Sequence, residues 1–216
     1  MNGHTCVVGG GSEIAKSYIF HRVACGDEMT IVHTISTEVS TSDRLRRTIS
    51  VKNLSRNADV MVTFCGDTQD ARIEQMPLSM FNLVIEATLT SVFKALNEGL
   101  PRMNNPGNVV VVGSIVGSTG GFGCANYAAA KAGLVGLVRA AANEWASRGV
   151  VVNLLELGYV NAGMGKRLAE GVREKVIKTI PLKRFAEVGE VIQAIDFLGS
   201  VRYMTGNVLT LAGGLR

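Results

Sequence analysis

Residues 114–131, SIVGSTGGFGCANYAAAK, carry the strongest chemical pattern in the chain. The overlapping run NYAAAKAGLVGLVRAAANEW, residues 126–145, is rich in Ala and Leu and predicts a helix. On that helix Tyr127 and Lys131 stand four residues apart, so they share a face and their phenol and ammonium converge. An unperturbed Tyr, with a pKa of about 10, is a poor acid–base catalyst near neutrality, and a fixed cation beside it favours the phenolate. Ser114 precedes Tyr127 by 13 residues and closes the run NVVVVGS, whose lack of alternation predicts a buried parallel strand. Doubly wound sheets bind ligands at the carboxyl ends of such strands. A hydroxyl there, followed by a Tyr/Lys pair on the next helix, can bind and protonate one carbonyl oxygen. The plainer alternatives are a surface Tyr with a solvated Lys, and a Ser that only caps or turns the chain.

Strand end, Gly-rich loop and Tyr/Lys helix in this order resemble the short-chain dehydrogenase/reductase family, whose signature is a Ser followed about a dozen residues on by YxxxK. The stretch GSIVGSTGGFGCANYAAAKAGLVGL is most similar to the 3-oxoacyl-acyl carrier protein reductase branch. The resemblance implies an α/β fold, a doubly wound Rossmann-like parallel sheet of about seven strands in three layers. It implies catalytic roles for Ser114, Tyr127 and Lys131. It also implies a fourth catalytic position, Thr88, where the family has an Asn holding a relay water; Thr cannot reproduce the amide geometry.

The 216 residues suffice for one α/β domain, expected to span 1–216, and 47% apolar with 19% charged is ordinary globular composition. No apolar run is long enough for a membrane span, and the N-terminus does not read as a signal peptide. Cys6, Cys25, Cys65 and Cys124 are dispersed without CxxC, which favours free thiols in a reducing cytoplasm over disulfides or zinc. His4, His21 and His33 show no ligand spacing, and no metal is expected. The net charge of +4 raises nucleic-acid binding, but few aromatics interleave with Arg44, Arg46, Arg47, Lys52 and Arg56. That cluster reads as a solvated face or as an anion site for a phosphorylated cofactor.

The N-terminal HTCVVGG predicts the first strand and SEIAKSYIFHRVACG the first helix. The family's G-x-x-x-G-x-G between them becomes Gly9, Glu13 and Ala15. A carboxylate beside a diphosphate repels it, so Glu13 is expected to face solvent or cap the helix, while Gly10, Gly11 and Ser12 still offer backbone donors. A tight turn with no ligand is the alternative. The second strand, EMTIVHTI, has no acid at its tip before Glu38, which with the Arg cluster favours NADP over NAD. Residues 36–58 are short for the family; RTISVKN is the candidate third strand, and the adenine-contacting Asp has no clear equivalent beyond Asn53 or Ser55. The next strand, ADVMVTFCG, ends in Thr63-Phe64-Cys65-Gly66 where the family has N-N-A-G. A continuous helix is expected from Pro77 to about residue 100, a sixth strand from Val150, a substrate lid over 161–184, a further helix in FAEVGEVIQAIDFLGS, and a final strand in TGNVLTLAGG. The family's Pro-Gly after the sixth strand is Leu157-Gly158 here, and its later Thr falls near Ala162 and Gly163. The resemblance thus implies cofactor contacts at Gly9, Gly11, Ser12, Ile14, Cys65, Gly66, Tyr127, Lys131, Gly158 and Val160.

Two functions follow. The first is an oxidoreductase that moves a hydride between NADP(H) and a small carbonyl or alcohol substrate, free or bound to a carrier protein, with Tyr127 as general acid and base. The second is a family member without redox turnover, needing no cofactor, that serves as an acid–base enzyme or a binding subunit. The intact Ser/Tyr/Lys set favours the first, and the altered glycine motif and trimmed adenine region favour the second.

Helices 77–100 and 125–147 carry apolar residues around much of their circumference, which one domain cannot easily bury. The family commonly pairs these helices across two-fold axes and builds a second interface near the Gly213-Gly214 tail, so a homotetramer is predicted. Light scattering at micromolar concentration should give about four times the 22.9 kDa chain mass; a mass of one chain overturns the assembly, and a mass of two removes the second interface.

Overall fold

The computed structural model describes residues 3–9, 12–32 and 57–216. Its centre is a parallel sheet of β1 (His4–Val8), β2 (Glu28–Val32), β3 (Ala58–Thr63), β4 (Met103–Val112), β5 (Val150–Leu157) and β6 (Val208–Leu211), in the spatial order β2-β1-β3-β4-β5-β6. Six strands are therefore seen among the described residues where about seven were expected. The candidate strand RTISVKN, like the Arg cluster and the tip of the second strand, lies outside them. The chain leaves β1 toward β2 and returns on the other side at β3, so the strand order reverses between β1 and β3. Such a reversal opens a crevice at the carboxyl ends of the strands.

The lack of alternation in VVVV has a direct cause. Val109 and Val111 belong to the core on one sheet face, and Val110 and Val112 to the core on the other. The first core takes Val92, Leu96, Leu134 and Val138 from α3 (Ser91–Gly99) and α5 (Ala125–Trp145). The second takes Tyr18, Val191, Ile195 and Leu198 from α1 (Glu13–Ala24) and α7 (Val188–Ser200). A strand covered on both faces has no polar side to show.

The long helix expected from Pro77 departs from the expectation in its middle. It consists of α2 (Leu78–Ile85), a π turn over Glu86–Thr90, and α3, with Pro77 just outside as the N-cap residue. The Ser91 N–H reaches back five residues to the Glu86 carbonyl, and Ser91 Oγ donates to the same carbonyl at 2.9 Å. The stretch read as a loop acquires a short helix, and the lid segment carries the helix that its alternating Lys and Glu predict. The short α4 (Val116–Thr119) follows Ser114, and α6 (Glu170–Thr179) lies inside the segment after β5. Among the described residues no helix is long and apolar enough to cross a membrane.

Candidate active site

The carboxyl ends of β3, β4 and β5 hold the Ser/Tyr/Lys set. Gly113 N donates to Leu155 O at 2.7 Å and Ile115 N to Leu157 O at 2.8 Å, so backbone pairing with β5 continues past β4 and fixes Ser114 between the two bonds. Tyr127 lies in the first turn of α5 and is buried, with its phenol in hydrogen-bonding reach of the Ser114 side chain. The Tyr127 N–H is taken by Asn126 Oδ1 at 2.8 Å, while Asn126 Nδ2 donates to Gln69 O at 2.9 Å. Together with Ala71 N donating to Gly123 O, these bonds tie segment 67–71 to the catalytic loop.

Lys131 is buried one turn further on. Its ammonium donates to the carbonyls of Cys65 and Val112, both at 3.0 Å, and stands 5.7 Å from the centroid of the Tyr127 ring. The expectation that this cation lowers the Tyr127 pKa is corrected here. Burial pushes the phenol up to about 12; the Ser114 hydrogen bond pulls the other way, and the charges of Cys124 and Asp67 add to the rise. Lys131 is spent on main-chain oxygens instead, and burial brings its own pKa down to about 8.

Thr88, in the π turn, is fully buried and its hydroxyl accepts the Asp67 N–H at 3.4 Å. Gly66 has φ +148°, and a Cβ there would stand 3.2 Å from Lys131 Nζ and 3.6 Å from Thr88 Cγ2. The structure thus brings Ser114, Tyr127, Lys131, Thr88, Cys65 and Gly66 into one site.

The other expected cofactor contacts lie at the ends of β1 and β5 and at the start of α1. Gly9 has φ +83°, and a Cβ on it would meet Phe64 O at 2.9 Å. Ser12 caps α1 by accepting Ala15 N at 3.1 Å, and Ile14 packs half-buried against the core. Gly158 lies against Ala212, where a Cβ would come within 2.8 Å of Cα, and Val160 is buried and bridged to Ala186. Gly11 lies outside the described residues. Glu13 is exposed, as expected, and leaves the capping of α1 to Ser12; its carboxylate accepts Gly163 N at 2.9 Å and Lys166 Nζ at 2.6 Å, and these bonds hold its pKa below the usual value.

Comparison with known proteins fits this geometry. The family model described as Enoyl-(Acyl carrier protein) reductase matches residues 20–216. The 3-oxoacyl-[acyl-carrier-protein] reductase FabG of Staphylococcus epidermidis is 33% identical over 186 residues, 84% of this chain and 76% of that protein. FabG of Salmonella typhimurium is 35% identical over 161 residues, 73% of this chain and 66% of that protein. The chain belongs to the short-chain dehydrogenase/reductase family. Its relatives lie in the 3-oxoacyl-acyl carrier protein reductase branch, and it is an oxidoreductase. The crystal structure of the TT0495 protein from Thermus thermophilus superposes with TM-score 0.85 at 25% identity, covering 99% of this chain and 98% of that one.

For a short-chain dehydrogenase/reductase, several site-building residues escaped the sequence reading. Asn126 sits beside Tyr127 without a spacing signal. Asp67 follows Gly66 directly, a carboxylate within electrostatic reach of Tyr127. Glu156 is 4% exposed near the end of β5, accepting hydroxyl bonds from Ser118, just past Ser114, and from Thr210 of β6. A lone acid inside the apolar run VVVNLLELG was the available signal for it.

Lys131 gives a pH signature. Its pKa is about 8 when folded and 10.5 ordinarily, so between these values the unfolded chain holds a proton the folded chain has shed. Stability therefore rises with pH in that window, by at most about 1.4 kcal/mol per pH unit. Denaturant unfolding from pH 7 to 9.5 should show this rise in the wild type and lose it in Lys131→Met; parallel curves would place the Lys131 proton elsewhere.

Proposed function

We propose that this chain transfers a hydride between NADP(H) and a carbonyl or alcohol substrate, with Tyr127 as general acid and base. The observation that carries it is the Ser114 side chain and the Tyr127 phenol meeting at the end of β4, with Lys131 seated behind them. A nicotinamide dinucleotide suits the reactive end of the crevice. Gly66 leaves room beside the Lys131 ammonium, which has a third donor beyond its two carbonyl bonds. The Thr63 hydroxyl, at the end of β3, is buried without a hydrogen-bond partner among the described residues. Gly66, Cys65, Tyr127 and Lys131 would hold the nicotinamide half, and Gly9, Ser12 and Ile14 the diphosphate half. When bound, the nicotinamide supplies or accepts the hydride.

The chain's own residues handle the oxygen. Ser114 donates to the substrate carbonyl oxygen and stabilises the charge that grows on it. The Tyr127 phenol, held protonated by burial at neutral pH, delivers its proton to that oxygen in the reductive direction. Thr88 and the Asp67 main chain bound the site on the side away from Ser114.

An acyl substrate, free or on a carrier protein, suits the rim. Arg72 lies over the Phe122 ring at 5.3 Å, and Ile73 and Phe122 stand exposed, the latter in the loop just before the helix that carries Tyr127. The relatives' names point to the same substrate class. We further read 1–216 as one domain, 161–184 as the lid, the assembly as a homotetramer and the location as cytoplasmic. NADP is preferred over NAD on the sequence alone, from the missing acid before Glu38 and the Arg cluster at 44–56. The second reading, a family member without redox turnover, draws its support from the Glu13 carboxylate at the start of α1.

Tyr127→Phe should lower turnover of an acetoacetyl thioester by about 10²–10⁴-fold with NADPH affinity and melting temperature nearly unchanged; wild-type rates in the variant would remove Tyr127 from the mechanism. NADPH should raise the melting temperature more than NADH at equal concentration. A larger shift with NADH would reverse the cofactor assignment, and no shift with either would favour the second reading.

A further inference from the structure

Glu13 occupies the first turn of α1, where unpaired N–H groups and the helix dipole favour an anion. It stands where the family has the second glycine of its diphosphate motif. Its two partners, Gly163 and Lys166, both come from the segment after β5, across the crevice from α1. The Glu13 and Lys166 side chains are 44% and 53% exposed, so their ion pair contributes little to folding stability. A half-exposed pair that does little for the fold still sets the local charge. Ser12 has spent its hydroxyl on Ala15 N, and Ala162 has no hydroxyl to offer. Lys166 is therefore the charged donor that the post-β5 segment brings to the start of α1.

We propose that Glu13 and Lys166 form an opposed charge pair that sets affinity for the cofactor diphosphate. Lys166 is a diphosphate-binding residue, and Glu13 is the resident anion that holds it in place and competes with the incoming one. This inference rests on the dinucleotide reading given above. The two residues then act with opposite sign. Removing the Glu13 charge frees Lys166 and removes a repulsion. Removing the Lys166 charge leaves the carboxylate facing the diphosphate with no cation beside it.

The test is direct binding, followed by nicotinamide fluorescence as NADPH is titrated into the full chain without substrate. At about 50 mM salt Glu13→Gln should bind about fivefold more tightly than wild type, and Lys166→Met about tenfold more weakly. The double variant should return close to wild type. At about 0.5 M salt the differences should shrink, since exposed charges are screened. A pair that merely tethers the segment would loosen binding in both single variants, and that result, or no change in either, overturns the proposal. If neither wild type nor Glu13→Gln binds NADPH at all, the dinucleotide reading has failed and this proposal falls with it.

Discussion

The site depends on one buried ammonium. Lys131 is 4% exposed and has no carboxylate partner among the described residues; its charge rests on the carbonyls of Cys65 and Val112. An ammonium taken out of water costs several kcal/mol unless its donors are met, and burial correspondingly favours its neutral form. The two carbonyls belong to the ends of β3 and β4, where the sheet ladder stops and main-chain oxygens need other donors. One side chain therefore fastens α5 to two adjacent strands at the place where the crevice opens. Tyr127 is one turn back on the same helix, so fixing Lys131 also fixes the phenol against Ser114. The cation's first task is architectural, and burial keeps the phenol beside it protonated at neutral pH.

How much of this could be read from the chain follows from the range of each interaction. The Tyr127/Lys131 pairing was legible because helical geometry alone puts i and i+4 on one face. The strand in NVVVVGS was legible because both of its faces are covered. Where Lys131 points was not, since its acceptors are main-chain oxygens 66 and 19 residues away, and every residue has such an oxygen. The π turn at Glu86–Thr90 was hidden for a similar reason. EATLT carries the same apolar period as the helix around it, and only the bond from Ser91 to Glu86 O marks the extra residue. Glu13 was legible as an anomaly but not as a contact, because Gly163 and Lys166 lie 150 and 153 residues away.

The departures from the family pattern fall on both sides of the site, with Thr63-Phe64-Cys65 and Thr88 on one and Glu13 and Ala162 on the other. The acid–base side, built from β3, β4 and the first turns of α5, keeps its Ser, Tyr and Lys and encloses them by buried contacts. The nucleotide side, built from β1, α1 and the segment after β5, has Glu13 for a glycine and Ala162 near the position of a Thr. These two sides meet along the paired strands β1 and β3, and past the strand ends through the Tyr18–Phe64 ring contact and the backbone approach of Gly9 to Phe64, where a Cβ would strike Phe64 O. A change of charge at the first turn of α1 acts first on the exposed Glu13–Lys166 pair. It can alter how firmly an anion is held without moving the proton donor.

Glu156 gives the acid–base side a further fastening. Among the described residues it is the one acid buried beside the catalytic loop, and its two hydroxyl partners come from opposite neighbours: Ser118 after β4 and Thr210 on β6. An apolar residue in its place would fill the volume but leave both hydroxyls without this acceptor; Ser118 and Thr210 are exposed, so water can take up their hydroxyls and what is lost is the link between loop and sheet. The bonds tie the loop after Ser114 to β5 and β6. Ser114 is thus bracketed by β5 backbone bonds at Gly113 and Ile115 and by a carboxylate clamp four residues on. A hydroxyl that must meet a carbonyl oxygen as charge develops on it needs such fixity, because a donor that had to reorganise during the reaction would lose much of its electrostatic effect.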